Sequence, residues 1–92
     1  MKLLVCGFGY GHVELEDATT KVTGGKFAGM TQREVFNKII ADGYGNNIPA
    51  VFHTEFKNGE ILHVGSKDPA APTIIDRPDV DQVWIIAPMA GG

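Results

Sequence analysis

The chain has one cysteine, one tryptophan, few basic residues and no long apolar run. A lone thiol, Cys6, excludes an internal disulfide framework and fits a reducing compartment, so a cytoplasmic location is expected. A membrane-spanning helix needs about 20 consecutive apolar residues. None exists here, and the glycines of "MKLLVCGFGYG" interrupt the first apolar run too early for a signal peptide. Lys and Arg number 8 against 11 Asp and Glu, for a formal charge of −3. Nucleic acid is therefore not an expected partner, because phosphate neutralisation needs a clustered basic surface. What is present is an ordinary globular composition, 43% hydrophobic and 21% charged over 92 residues. That length makes one domain with a small core.

"MKLLVC" (1–6) is apolar on both faces, which predicts a central strand covered on both sides. "GFGYG" (7–11) turns the chain, and "HVELED" (12–17) alternates Val13 and Leu15 with Glu14 and Glu16. The two runs predict an antiparallel hairpin. Residues 18–29 read as a loop with a short strand continuation around Lys21–Thr23. Thr31 and Glu34 then form a capping box, in which each side chain satisfies a backbone N–H at the helix start. Met30 and Val35 hold the positions of a hydrophobic staple, and Val35, Phe36, Ile39 and Ile40 make one apolar stripe. Gly43 stands where a left-handed cap belongs, so a helix is predicted over 32–42.

Asn58-Gly59 marks a second hairpin within 48–66. On it, His53 and His63 flank the turn and can oppose one another, with Glu55 nearby. Residues 67–81, with three prolines, read as a long surface loop, and "QVWIIAP" (82–88) reads as a second strand apolar on both faces. The order is hairpin, helix, hairpin, loop, strand. Two doubly apolar strands, first and last, belong side by side at the sheet centre, and the helix between them favours parallel pairing. The expected class is α+β, a mixed sheet of four to five strands packed on one main helix, as in the β-grasp arrangement. Residues 1–88 make that domain and 89–92 a flexible arm.

The last residues, "APMAGG", suggest chemistry. Pro88 cannot donate to a ladder, so the strand ends there. Met89 to Gly92, extended, reach about 13 Å. Gly91 and Gly92 lack a Cβ, which lets the backbone thread a narrow channel. Attack of the Gly92 carboxylate on the α-phosphate of ATP would make an acyl-adenylate, from which a sulfide or thiol displaces AMP. A partner enzyme would supply positioning and charge neutralisation.

"DQVWIIAPMAGG" resembles the C-terminus of the β-grasp sulfur carriers, the small subunit of molybdopterin synthase and the thiamine-biosynthesis carrier. Asp81, the strand Val83–Ile86, Pro88, Ala90, Gly91 and Gly92 match the pattern. The resemblance implies adenylation of Gly92 by an E1-like enzyme and conversion to a thiocarboxylate. It places Pro88, Met89, Ala90 and Gly91 in the partner's channel. Bacterial ubiquitin-like modifiers share the fold and pass the same activated glycine to a target-protein amine. The implied partners are the E1-like enzyme and a sulfur acceptor, a target protein or a JAB-type protease. No bound cofactor is implied beyond ATP used by the partner. The N-terminal domain of lambda-like phage tail assembly protein I is similar too, with a glycine after its first strand and a strand-Pro-small-Gly ending. That likeness implies a structural, tail-tip role among phage tail proteins.

Other candidates carry less. "GFGYG" has the spacing G-x-G-x-G before a strand, not the dinucleotide fingerprint before a helix. Phe8 and Tyr10 offer an aromatic contact patch, and Cys6 is expected to be an inert buried thiol. His53 and His63 read as surface histidines, since a structural or catalytic zinc site takes three or more protein ligands, and His12 has no evident partner. Glu14, Glu16, Asp79 and Asp81 form a solvated acidic surface that can steer a basic partner. No Ser–His–Asp set or catalytic carboxylate pair stands out, so the chain reads as a carrier or substrate, not an enzyme.

Overall fold

A computed structural model describes residues 1–6, 13–43 and 49–86. Among these residues five strands form one mixed sheet, with one main helix, α1, at Gln32–Asp42. The strands are β1 (Lys2–Val5), β2 (Val13–Leu15), β3 (Val51–Phe56), β4 (Ile61–Gly65) and β5 (Val80–Ile86). Their order across the sheet is β2-β1-β5-β3-β4. β1 and β5 pair in parallel, Leu3 opposite Val83 and Val5 opposite Ile85, as their shared apolar character predicts. The other three pairings are antiparallel.

The helix starts where the local chemistry says it should. Thr31 Oγ1 accepts from the Glu34 N–H, and the Glu34 carboxylate accepts from the Thr31 N–H at 3.1 Å. Val35, Phe36 and Ile39 are fully enclosed against the sheet, and Met30 and Ile40 pack at the margin. Phe36 stacks on Phe52 of β3 with ring centroids 4.6 Å apart. Gly43 ends the helix at φ 61°, ψ −140°, its N–H donating to Ile39 O. The positive φ is as expected. The ψ is not that of a left-handed cap; it lies in territory that only glycine enters without strain. The Asn58-Gly59 turn closes the β3–β4 hairpin with Gly59 at φ 91°.

One face of the sheet carries the core: Leu3 and Val5, Val13 and Leu15, Phe52, Val64, Val83 and Ile85, under α1. The expectation that both central strands are covered on both sides holds for β1, where Leu3, Leu4 and Val5 are all buried, and is corrected for β5. On the opposite face Leu4 is buried, but Trp84 and Ile86 of β5 remain half-buried and lie outside the core cluster.

Two further corrections concern the connections. Lys21–Thr23 is not a strand; Val22 instead closes a local loop, donating to Met30 O at 2.9 Å and accepting from Gly29 N–H at 2.8 Å. Val22 and Phe27, in a 3-10 turn at Gly25–Phe27, fill the core from this loop. The 67–81 stretch is not wholly a surface loop. Ala71–Asp76 forms a 3-10 segment with Pro72 in its first turn, and Ala71 and Ile74, three apart, are buried. β5 also begins two residues early. A bulge pairs Glu55 with Gln82 but Phe56 with Val80, leaving Asp81 as the extra, exposed residue and turning Val80 into the core.

Candidate functional site

Gly92, and with it Pro88, Met89, Ala90 and Gly91, lies outside the described residues. So do Phe8, Tyr10 and His12. The structure does describe the platform that precedes the last residues. β5 is held on both sides up to its end: Cys6 N–H donates to Ile85 O at 2.9 Å, and Ile86 faces Val51. The start of β3 and the end of β4 are tied at the same end of the sheet. Buried Ser66 donates its N–H to Ala50 O at 2.8 Å and accepts the Ala50 N–H on Oγ at 2.9 Å.

The open face of the sheet gathers a second group. The Asn58-Gly59 turn sets the register that places His53 directly opposite His63, and Glu55 opposite Ile61. His53 Nδ1 and His63 Nε2 are 2.7 Å apart, with ring centroids at 4.7 Å and planes inclined by 43°. The other nitrogen of His53, Nε2, stands 3.5 Å from Glu55 Oε2. Gln82 Nε2 donates to that same carboxylate oxygen at 3.0 Å. On the β5 side His53 faces Trp84. His53, Glu55, Trp84 and Ile86 line a shallow, mainly apolar hollow of about 310 Å³. Trp84 Nε1 is enclosed and has no hydrogen-bond partner among the described residues.

Sequence spacing suggested that the two histidines face one another, and they do. It gave no sign that Gln82 and Trp84 join them. The usable signal was the parity of β5: once β3 and β5 pair, alternate residues 82, 84 and 86 share the face of 51, 53 and 55. Among the described residues no group of three or more His, Cys, Asp or Glu is placed to hold a metal ion.

Cys6 is half-exposed instead of buried, and partial burial pushes its thiol pKa up. A raised pKa keeps the thiol protonated and a poor nucleophile. The acidic surface is largely neutralised. Lys2 Nζ lies 2.7 Å from Glu14 and 3.7 Å from Glu16, and its hydrogen bond to Glu14 raises its pKa. Arg77 holds Asp79 with two hydrogen bonds, of 3.0 and 2.7 Å, which lower the Asp79 pKa. All four are exposed, and the Asp81 side chain alone has no ion-pair or hydrogen-bond partner among the described residues. A broad cleft near the start of α1 brings Arg33, Lys57 and Arg77 together, but Arg33 is paired with Asp76 and Arg77 with Asp79. Among the described residues no helix is long and apolar enough to cross a membrane.

Comparison of the chain with protein-family models, with curated proteins and with solved structures finds no match in any of the three.

Proposed function

We propose that the chain is a β-grasp carrier protein, activated at a free Gly92 carboxylate by an E1-like adenylating enzyme. The activated glycine then serves sulfur transfer or protein conjugation. The observation that supports this reading is the strand order β2-β1-β5-β3-β4 with β1 and β5 parallel, which is the β-grasp order. In it the strand that runs into the "APMAGG" sequence is the central one. A central strand is paired on both sides, so whatever follows it is carried on the most firmly held backbone of the sheet. In this reading the chemistry is the partner's. The chain supplies a carboxylate and four residues, Pro88 to Gly91, slim enough for a narrow active site. Carboxylate oxygen attacks the α-phosphorus of ATP and pyrophosphate leaves; a sulfide or an amine then attacks the acyl carbon and AMP leaves.

Incubation with an E1-like enzyme from the same genome and ATP tests this. The expected product is an adenylate or thiocarboxylate at Gly92, seen by mass spectrometry and absent when Gly92 is deleted. An adduct that survives the deletion sinks the proposal.

A second reading, a structural binding module such as a phage tail-tip component, is favoured by one observation. Ile61 and Leu62 on edge strand β4 are 55% and 44% exposed, one toward each face. An edge strand without charge or proline is open to pairing with another chain. Tail-assembly genes beside this one, and no adduct with any adenylating enzyme, decide for that reading.

A further inference from the structure

We propose that His53 and His63 form a two-nitrogen seat for a divalent transition-metal ion of tetragonal preference, Cu²⁺ before Zn²⁺. The site is on the open sheet face and is independent of what happens at Gly92.

The argument starts from register. Directly opposed residues of an antiparallel pair have Cβ atoms about 5 Å apart, so two imidazoles there meet without backbone movement. Here they meet nitrogen to nitrogen at 2.7 Å, and both rings are accessible from solvent. Two bare lone pairs at that separation repel, so in the metal-free protein one ring donates N–H to the other. A cation seated to one side of the line between the two nitrogens, with both rings turned toward it, can displace that proton. The proton then moves to the outer nitrogen of its ring or to solvent, and both inner nitrogens become donors to the ion.

Geometry selects the ion. With metal–nitrogen bonds of about 2.0–2.1 Å, a nitrogen separation near that observed subtends about 80° at the metal. That is close to the right angle between adjacent sites of a square plane and well below the tetrahedral angle. Tetragonal nitrogen and oxygen sites favour Cu²⁺ or Ni²⁺, and Cu²⁺ stands highest in the divalent series. Water fills the remaining positions, since among the described residues no third side chain is placed to bind.

The surroundings fit a ligand role for His53. Its outer nitrogen faces the Glu55 carboxylate at 3.5 Å, and Gln82 fixes that carboxylate with a 3.0 Å hydrogen bond. A carboxylate behind a histidine holds the proton on the outer nitrogen and leaves the inner one free to bind. Trp84, the single tryptophan, lies across the strand pair from His53 and provides a reporter.

The test is titration of the full chain with Cu²⁺ at neutral pH, following Trp84 fluorescence. Saturable, equimolar quenching that a chelator reverses is expected, with an electron paramagnetic resonance spectrum showing two imidazole nitrogens. His63→Gln and His53→Gln each abolish the saturable phase. Glu55→Gln weakens it by roughly tenfold. His12→Gln, which alters the third histidine of the chain, leaves it unchanged. Quenching that persists in both the His53 and His63 variants overturns the proposal. So does a wild-type spectrum with fewer than two imidazole nitrogens, a result that needs no variant to fold.

Discussion

Gln32 reaches from the first turn of α1 to Met1, just before β1, and to Leu15 at the end of β2. Its Nε2 donates to Met1 O at 2.7 Å and to Leu15 O at 2.9 Å, and the residue is 3% exposed. Both amide hydrogens are used on backbone carbonyls. One side chain thereby fixes where the helix lands on the β1–β2 hairpin.

Replacing it with Ala should therefore cost about 1–3 kcal/mol, the penalty for leaving buried acceptors unpaired. Gln32→Glu is the sharper probe. It keeps the shape but turns a double donor into an acceptor facing two acceptors, so its loss should exceed that of Ala. Urea unfolding of both variants checks the order; a Glu variant as stable as wild type would falsify the account.

Asp17 makes a prediction about acid. Its carboxylate accepts the Thr19 hydroxyl at 2.7 Å, the Thr19 N–H at 2.9 Å, and both the hydroxyl and N–H of Thr20 at 3.0 Å. These bonds, the Thr19 hydroxyl first, lower its pKa from 3.8 to about 2. The bonds favour the charged form, so their contribution is complete above the unfolded value. It fades as pH falls from about 3.8 toward about 2. Nuclear magnetic resonance titration of Asp17 should give the low midpoint, and Thr19→Ala should move it upward. The residue is exposed, so the effect on global stability is small.

The Phe36–Phe52 stack joins helix to sheet at the centre of the core, with both rings fully enclosed. Phe36→Ala leaves a cavity that neighbours on a rigid sheet cannot fill, and should cost about 3–5 kcal/mol. Phe36→Leu should cost much less. Equal losses for the two would mean the stack, not the volume, carries the energy.

Much of this was readable from sequence where the causes are local. Thr31, Glu34, Val35 and Gly43 specify the helix within a dozen residues, and Asn58-Gly59 specifies a hairpin and its register. The neighbouring of β1 and β5 was readable for another reason: only a central strand can use Leu3, Leu4 and Val5, or Val83 to Ile86. The inference from double apolarity to double covering overreached at β5, where Trp84 and Ile86 lie half-buried on the face that carries the histidines. The 3-10 segment was hidden because its cue is only Pro72 and the spacing of Ala71 and Ile74, in a stretch that prolines and aspartates mark as loop. The bulge at Asp81 had no cue, since it answers to the register of β3. Of the candidate site, the facing histidines and Glu55 beside them were legible; their Gln82 and Trp84 neighbours depended on a pairing between residues about thirty apart.

The parallel pairing of β1 with β5 brings Lys2 beside Gln82 across nearly the whole chain. Until β5 is in place, β1–β2 and β3–β4 are two separate hairpins with no bond between them. During synthesis, which delivers the N-terminal elements first, the sheet must wait for its own middle. β5 is thus the strand that joins the two hairpins into one sheet. Any factor that holds residues 80–86 extended on a nascent chain would keep the whole domain open, and letting go of that one strand would close it.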